Sequence, residues 1–118
     1  MMSFIPVRDL TVARAFYATT LGMPVMEENS FVVVVSANGT MLRLTLVLDF
    51  QPQPFSVVGW DVKDIEAVID ALVARDVTFM RYDGMRQDAR GIWKTPGGDL
   101  VAWFTDPDGN TLSLTSFR

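Results

Sequence analysis

The chain has 118 residues, which suits one domain with a sizeable core rather than several. Its 14 acidic and 10 basic residues leave a net charge of −4, and no basic run offers the Lys/Arg surface with which nucleic-acid binders neutralise phosphates. With no cysteine and no histidine there is no disulfide, thiol nucleophile or Cys-based zinc site, and the usual general base near neutral pH is missing.

Residues 2–7 read as a short strand, and Asp9 as the cap of a helix carrying Leu10, Ala13, Phe16 and Tyr17 at helical spacing. That helix stops at Leu21-Gly22, with Pro24 just beyond. Residues 25–28 and 31–37 read as strands joined through Asn29-Ser30, and Asn38-Gly39 is a hairpin turn signal. From 41 to 48 the chain alternates, with Leu42, Leu44, Leu46 and Leu48 on one face and Met41, Arg43, Thr45 and Val47 on the other. The stretch 49–54 carries two prolines that cannot donate to a ladder, and it reads as a linker.

Residues 55–61 open a new strand, and Asp64 caps a second helix with Ile65, Val68, Ile69, Leu72 and Val73 along one stripe. Residues 77–82 read as another strand. The stretch 83–98 is irregular and rich in glycine, with Trp93 as its one large aromatic. Two β-prone runs, 100–105 and 111–117, flank Asp106-Pro107-Asp108-Gly109-Asn110, which has the composition of a turn. The second run places Leu112 and Leu114 on one face and Thr111, Ser113 and Thr115 on the other. The first ten residues show no signal peptide, and the longest apolar run, 31–35, is far short of a membrane span of about 20 residues. A soluble cytoplasmic protein is expected.

The order of elements repeats. Val7-Arg8-Asp9-Leu10 is matched by Val62-Lys63-Asp64-Ile65 at an offset of 55 (7 to 62), and Leu42-Arg43-Leu44 by Leu112-Ser113-Leu114 at an offset of 70 (42 to 112). The second half therefore carries extra chain, and 83–98 is where it fits.

With this doubling, the chain resembles the glyoxalase/bleomycin-resistance/extradiol dioxygenase superfamily, also called vicinal oxygen chelate proteins, nearest the metal-free antibiotic-binding branch. The residues that carry the resemblance are Val7-Arg8-Asp9-Leu10, Ala15-Phe16-Tyr17 with Leu21-Gly22-Met23, and Trp103-Phe104-Thr105-Asp106-Pro107-Asp108-Gly109-Asn110. It implies an α+β fold of two tandem βαβββ modules, 1–50 and 55–118 about the 49–54 linker. Their curled mixed sheets would form an open cup completed in a homodimer, with a domain swap left open. In the metal-using branches the ligands come from the first and last strands of each module, which here correspond to Met2, Arg43, Val57 and Ser113. A thioether, a cation, an alkyl group and a hydroxyl replace imidazole and carboxylate, so no metal and no other cofactor is expected.

Alternation supplies the rest of the expected lining. Phe4, Gly59 and Asp61 share a face with Met2 and Val57, and Thr78, Met80 and Tyr82 lie opposite Val77 and Phe79. If Ala102 faces Ser113 across the final turn, Phe104 points into the cup and Trp103 toward the helix. The ligand-binding set is thus Phe4, Met41, Arg43, Thr45, Val57, Met80, Trp93, Phe104 and Ser113, apolar with a few placed polar groups as small-molecule pockets are. Arg43 either orients a ligand or pairs internally with Asp61 or Asp83. Trp93 either stacks on a flat ligand or plugs its own loop or a dimer contact, and Trp60 and Trp103 read as core. Met2, Met41 and Met80 suit a ligand or a gap in the core equally well. Asp106 and Asp108 are accounted for by the turn.

The expected function is non-catalytic: sequestration of an aromatic natural-product antibiotic, peptide antibiotics included, by a homodimer that engages neither nucleic acid nor membrane. One alternative is a metal-independent lyase, isomerase or hydrolase using Asp61, Asp83 or Tyr82 as base. Another is a partner-binding domain with a filled cup.

Overall fold

A computed structural model describes residues 2–118; Met1, the first residue of the expected first module, lies outside them. The alternating runs pair into two four-stranded mixed sheets of the same topology. The first holds β1 (Met2–Val7), β2 (Val25–Glu28), β3 (Val32–Ala37) and β4 (Thr40–Leu46) in spatial order β1-β4-β3-β2, with β1 parallel to β4 and the other pairs antiparallel. The second holds β5 (Ser56–Asp61), β6 (Trp93–Lys94), β7 (Leu100–Thr105) and β8 (Thr111–Ser116) in order β5-β8-β7-β6, with β5 parallel to β8. This is the α+β arrangement of two βαβββ modules. One unit comprises residues 2–53 together with 106–110, and the other 54–105 together with 111–118.

In the first unit Asp9 caps α1 (Leu10–Arg14), its carboxylate accepting from the Thr11 and Val12 amides, and α1 packs on β3 and β4. Ile5, Val7, Val33, Val35, Leu42 and Leu44 are buried on the helix side together with Ala13 and Tyr17. The helix continues as a π-helical segment, Ala15–Thr20, a widening that a 3.6-residue apolar period does not reveal. Asn38 and Gly39 both adopt positive φ, 49° and 88°, in the two-residue turn that joins β3 and β4.

The turn Asp106–Asn110 belongs to this first unit although its flanking strands belong to the second. Asp106 organises it. Oδ1 accepts from the Asp108 and Asn110 amides at 3.0 and 2.9 Å. Oδ2 accepts from the Tyr17 hydroxyl at 2.7 Å and from Asn110 Nδ2 at 2.9 Å. Asn110 Nδ2 also donates to Pro6 O at 2.9 Å, and the Arg8 amide donates to Asp108 Oδ1 at 2.9 Å. The acidic pair is therefore spent on structure, as turn chemistry requires.

Burial first, and the Asp106 carboxylate second, push the Tyr17 phenol far above its ordinary pKa of 10.0. A group raised in the folded state supports folding fully below its unfolded pKa and loses that support as pH rises. Stability should therefore fall above about pH 10, at up to about 1.4 kcal/mol per pH unit. Urea titrations between pH 8 and pH 11 should show this alkaline limb reduced in Tyr17→Phe. An unchanged limb would show that Tyr17 is not its source.

In the second unit Asp64 caps α2 (Ile65–Val73), which buries Ile65, Ile69 and Leu72 and leaves Val73 exposed. Two expectations are corrected here. Residues 77–82 form no strand. Phe79 makes a single bridge to Phe104, and the Met80 amide donates to Trp103 O, so this segment borders only the C-terminal half of β7. The N-terminal half pairs instead with β6, through Trp93↔Val101 and Lys94↔Leu100. Between these two bordering pieces the chain leaves the sheet, and the extra residues of the second half form that excursion.

The second correction is one of register. The final hairpin pairs Ala102↔Leu114, Trp103↔Ser113 and Phe104↔Leu112 about a five-residue turn closed by the Asp106 amide on Asn110 O. Phe104 therefore lies on the helix side and Trp103 on the open side, because a one-residue slip in a strand exchanges its faces.

The excursion is tied down by side chains. Gln87 Nε2 donates to Met80 O and Gly91 O at 3.0 and 2.8 Å, and Gln87 Oε1 accepts from the Tyr82 amide at 2.7 Å. Arg90 forks onto Asp70 at 3.0 Å with both Nε and Nη2 and reaches Glu66 at 2.8 Å, holding the Asp70 carboxyl below its usual range. Exposed pairs contribute little to global stability, but they resist local opening. Arg90→Ala is expected to leave the melting temperature nearly unchanged while protease cleavage within residues 83–90 rises several-fold. Equal cleavage rates would refute the tether. No helix among the described residues is long and apolar enough to cross a membrane.

Candidate functional site

Strand pairing places one row of side chains across the open face of the first sheet: Phe4, Arg43, Val34 and Glu27, on β1, β4, β3 and β2 respectively. Phe4 is 63% exposed, and Arg43 Cζ lies 5.8 Å from the centroid of its ring. Within this unit the Arg43 guanidinium makes no hydrogen bond and no ion pair among the described residues; the Phe4 ring is its contact. Met41 pairs with Met2 in the neighbouring row, and Thr45 pairs with Pro6 and Val32. The expected members Phe4, Met41, Arg43 and Thr45 thus share this face.

The open face of the second sheet is aromatic. Gly59, Ser113 and Trp103 form one row, and Asp61, Thr115, Val101 and Trp93 the next. The Trp103 ring meets Tyr82 edge-on at 5.5 Å and lies 6.3 Å from Trp93 at an interplanar angle of 31°. The Tyr82 hydroxyl donates to Met80 Sδ at 3.4 Å, which brings Met80 into the group. A pocket of about 210 Å³ is lined by Pro54, Phe55, Ser56, Tyr82, Met85, Trp103 and Thr111. A more open one of about 590 Å³ lies against Asp83, Gly84, Met85, Arg86, Trp93 and Lys94, sharing Met85 with the first.

Ser113 Oγ lies 3.0 Å from Ser56 Oγ, in a place where Gly59 provides the room: a β-carbon at 59 would stand 2.5 Å from Ser113 Oγ. Val57 sits at the irregularity of β5, where the register to β8 shifts between Ser56 and Val58.

Trp93, Met80 and Ser113 are therefore gathered around Trp103, whereas Phe104 is not. It is 1% exposed, 6.2 Å from Trp60 and 5.2 Å from Phe79, in the core of its unit. Sequence reasoning missed Trp103 through the register, and it missed Ser56 and Met85 because only their place in the fold brings them to the pocket. Gln87, which fixes the loop behind Tyr82, gave no signal beyond its position in a glycine-rich stretch.

The positions that correspond to metal ligands in the metal-using branches do not fit a divalent ion. Arg43 would bring a cation to it, Val57 has no donor atom, and Met2 offers only a thioether. Ser113 already shares its hydroxyl with Ser56.

The model of the Glyoxalase/Bleomycin resistance protein/Dioxygenase superfamily matches residues 2–114. No curated protein matches the chain. Among solved structures, the chain is similar to a bleomycin resistance determinant encoded on the transposon Tn5, with a TM-score of 0.79 at 20% identity, covering 100% of this chain and 97% of that one. It is similar to a lactoylglutathione lyase from Agrobacterium tumefaciens, with a TM-score of 0.77 at 16% identity over 98% and 91% of the two chains. A superfamily member from Sphaerobacter thermophilus DSM 20745 gives a TM-score of 0.75 at 27% identity over 98% and 94%. Similarity at this level, across differently named proteins, speaks for the shared fold.

Proposed function

The chain belongs to the Glyoxalase/Bleomycin resistance protein/Dioxygenase superfamily, and from that premise we propose that it is a small-molecule binding protein that sequesters a compact aromatic compound without transforming it. The observation that carries this reading is the Trp103, Trp93 and Tyr82 cluster around a pocket on the open face of the second sheet. Aromatic side chains supply large, rigid, stackable area at low entropic cost, which is what capture of a flat ligand needs. The residues at the family's metal positions favour binding over metal-assisted chemistry. The structural neighbour named for bleomycin resistance makes aromatic natural-product antibiotics the first class to try.

A homodimer is part of the same proposal. Phe4, Met2 and Met41 expose apolar surface side by side on the first sheet, and association would cover it. Arg43 and Phe4 are proposed as ligand or dimer contacts on that face, and Met80, Trp93 and Ser113 as ligand contacts on the second.

Native mass spectrometry of the protein with a pool of aromatic antibiotics and divalent metals tests the reading. A dimer carrying one or two antibiotic adducts and no metal is the expected species. A metal adduct that survives desalting would overturn the donor-set argument, and a bare protein would overturn sequestration. Trp103→Ala should weaken the captured compound by roughly 30-fold, as loss of a central aromatic anchor does. Retention of full affinity would place the ligand elsewhere.

A further inference from the structure

A hydroxyl has one hydrogen and two lone pairs, so a chain of hydroxyls has a direction. Ser56 Oγ donates its hydrogen to Val58 O at 3.0 Å. In its 3.0 Å contact with Ser113 Oγ, Ser56 can then only accept, and Ser113 is the donor. The Tyr82 hydroxyl gives its hydrogen to Met80 Sδ. Three hydroxyls at or beside the 210 Å³ pocket have therefore given up their hydrogens and keep lone pairs. The side-chain donors that the lining keeps are the Thr111 hydroxyl and the Trp103 indole N–H. Pro54, Phe55, Met85 and Trp103 supply apolar walls.

We propose that this pocket selects aromatic ligands that donate hydrogen bonds, namely phenols and aryl amines, over the corresponding aryl ethers, which accept but cannot donate. The inference rests on the reading of the second sheet's open face as the ligand site. A ring that brings an O–H or N–H finds acceptors already oriented by Val58 O and Met80 Sδ. An ether oxygen can accept from Thr111 or Trp103 but leaves the three spent hydroxyls without a donor. An engineered apolar cavity of about 150 Å³ holds benzene, so the pocket has room for one substituted ring. Gly59 protects the arrangement, because a β-carbon there would press on Ser113 Oγ and turn it from Ser56.

The test titrates the full chain at about pH 7 with p-cresol and 4-methylanisole, which share one ring and methyl group and differ in whether the oxygen carries a hydrogen. The indole N–H signals of Trp103 and Trp93 are followed by NMR, with Trp60 as the internal reference. p-Cresol should bind at least about five-fold more tightly than 4-methylanisole, the typical effect of one hydrogen bond. Ser56→Ala frees the Ser113 hydrogen for an ether oxygen and should narrow the gap between p-cresol and 4-methylanisole; the wild-type ranking decides the matter even if that variant fails to fold. Equal binding of p-cresol and 4-methylanisole, or tighter binding of the ether, would overturn the inference and leave the site standing. No movement of either indole with either ligand would overturn the site and the inference together.

Discussion

Asp106→Ala is expected to lower the thermal midpoint by roughly 10 °C, measured by circular dichroism and confirmed by urea unfolding. The carboxylate is buried and accepts from four donors: the Tyr17 hydroxyl, Asn110 Nδ2, and the Asp108 and Asn110 amides. Alanine leaves all four without their acceptor, and the penalty for buried unpaired groups, about 1–3 kcal/mol each in isolation, is softened by entering water and by relaxation of the turn. A net loss of about 3 kcal/mol, at roughly 3–4 °C per kcal/mol for a chain of this size, gives the stated shift. Tyr17→Phe removes one of the four bonds and should cost about 1 kcal/mol. The double variant should lose less than the two single losses combined, because the second change removes a partner already gone. A shift under about 2 °C for Asp106→Ala would mean that the turn does not depend on its carboxylate.

The second large effect separates two adjacent aromatics. Phe104→Ala should cost about 3–5 kcal/mol, because it opens a cavity among Phe79, Trp60 and Leu112 in the core of its unit. Trp103→Ala, one residue away on the open face, should cost much less stability while removing ligand affinity. Urea midpoints for the two variants provide the check, with the slope compared to exclude a change in the unfolded state. The reverse order would mean that the hairpin pairs in the slipped register, with Phe104 outward.

This pair also marks the limit of what the sequence discloses. The leucine alternation in β4, the Asn38-Gly39 hairpin, the two Asp-capped helices and the internal repeat all arise from local chemistry, and each was legible. Register was not. Residues 100–105 are apolar at both parities, so no alternation says which face is which, and a five-residue turn differs from a four-residue one only through the hydrogen bonds of Asp106. Residues 77–82 have the composition of a strand, but only Phe79 and Met80 reach β7, because β6 occupies the rest of that edge. The proposed site followed the same division. Met80, Trp93 and Ser113 could be named from alternation and loop position, whereas Trp103, Ser56 and Met85 reach the pocket only through register and the path of the excursion. The direction of hydrogen donation among the hydroxyls is a property of distances and has no counterpart in a list of residues.

That residues 106–110 complete the first unit has a consequence for synthesis on the ribosome. Tyr17 and Arg8 find their partners 89 and 100 residues further along, at Asp106 and Asp108. At elongation rates of roughly 5–20 residues per second, Tyr17 waits on the order of 5–20 s for Asp106 to be made. Throughout that interval the Tyr17 hydroxyl has no Asp106 to donate to. A product that stalls anywhere before Asp106 lacks the segment that completes the first unit, so completion of that unit is expected to follow synthesis of the C-terminal turn.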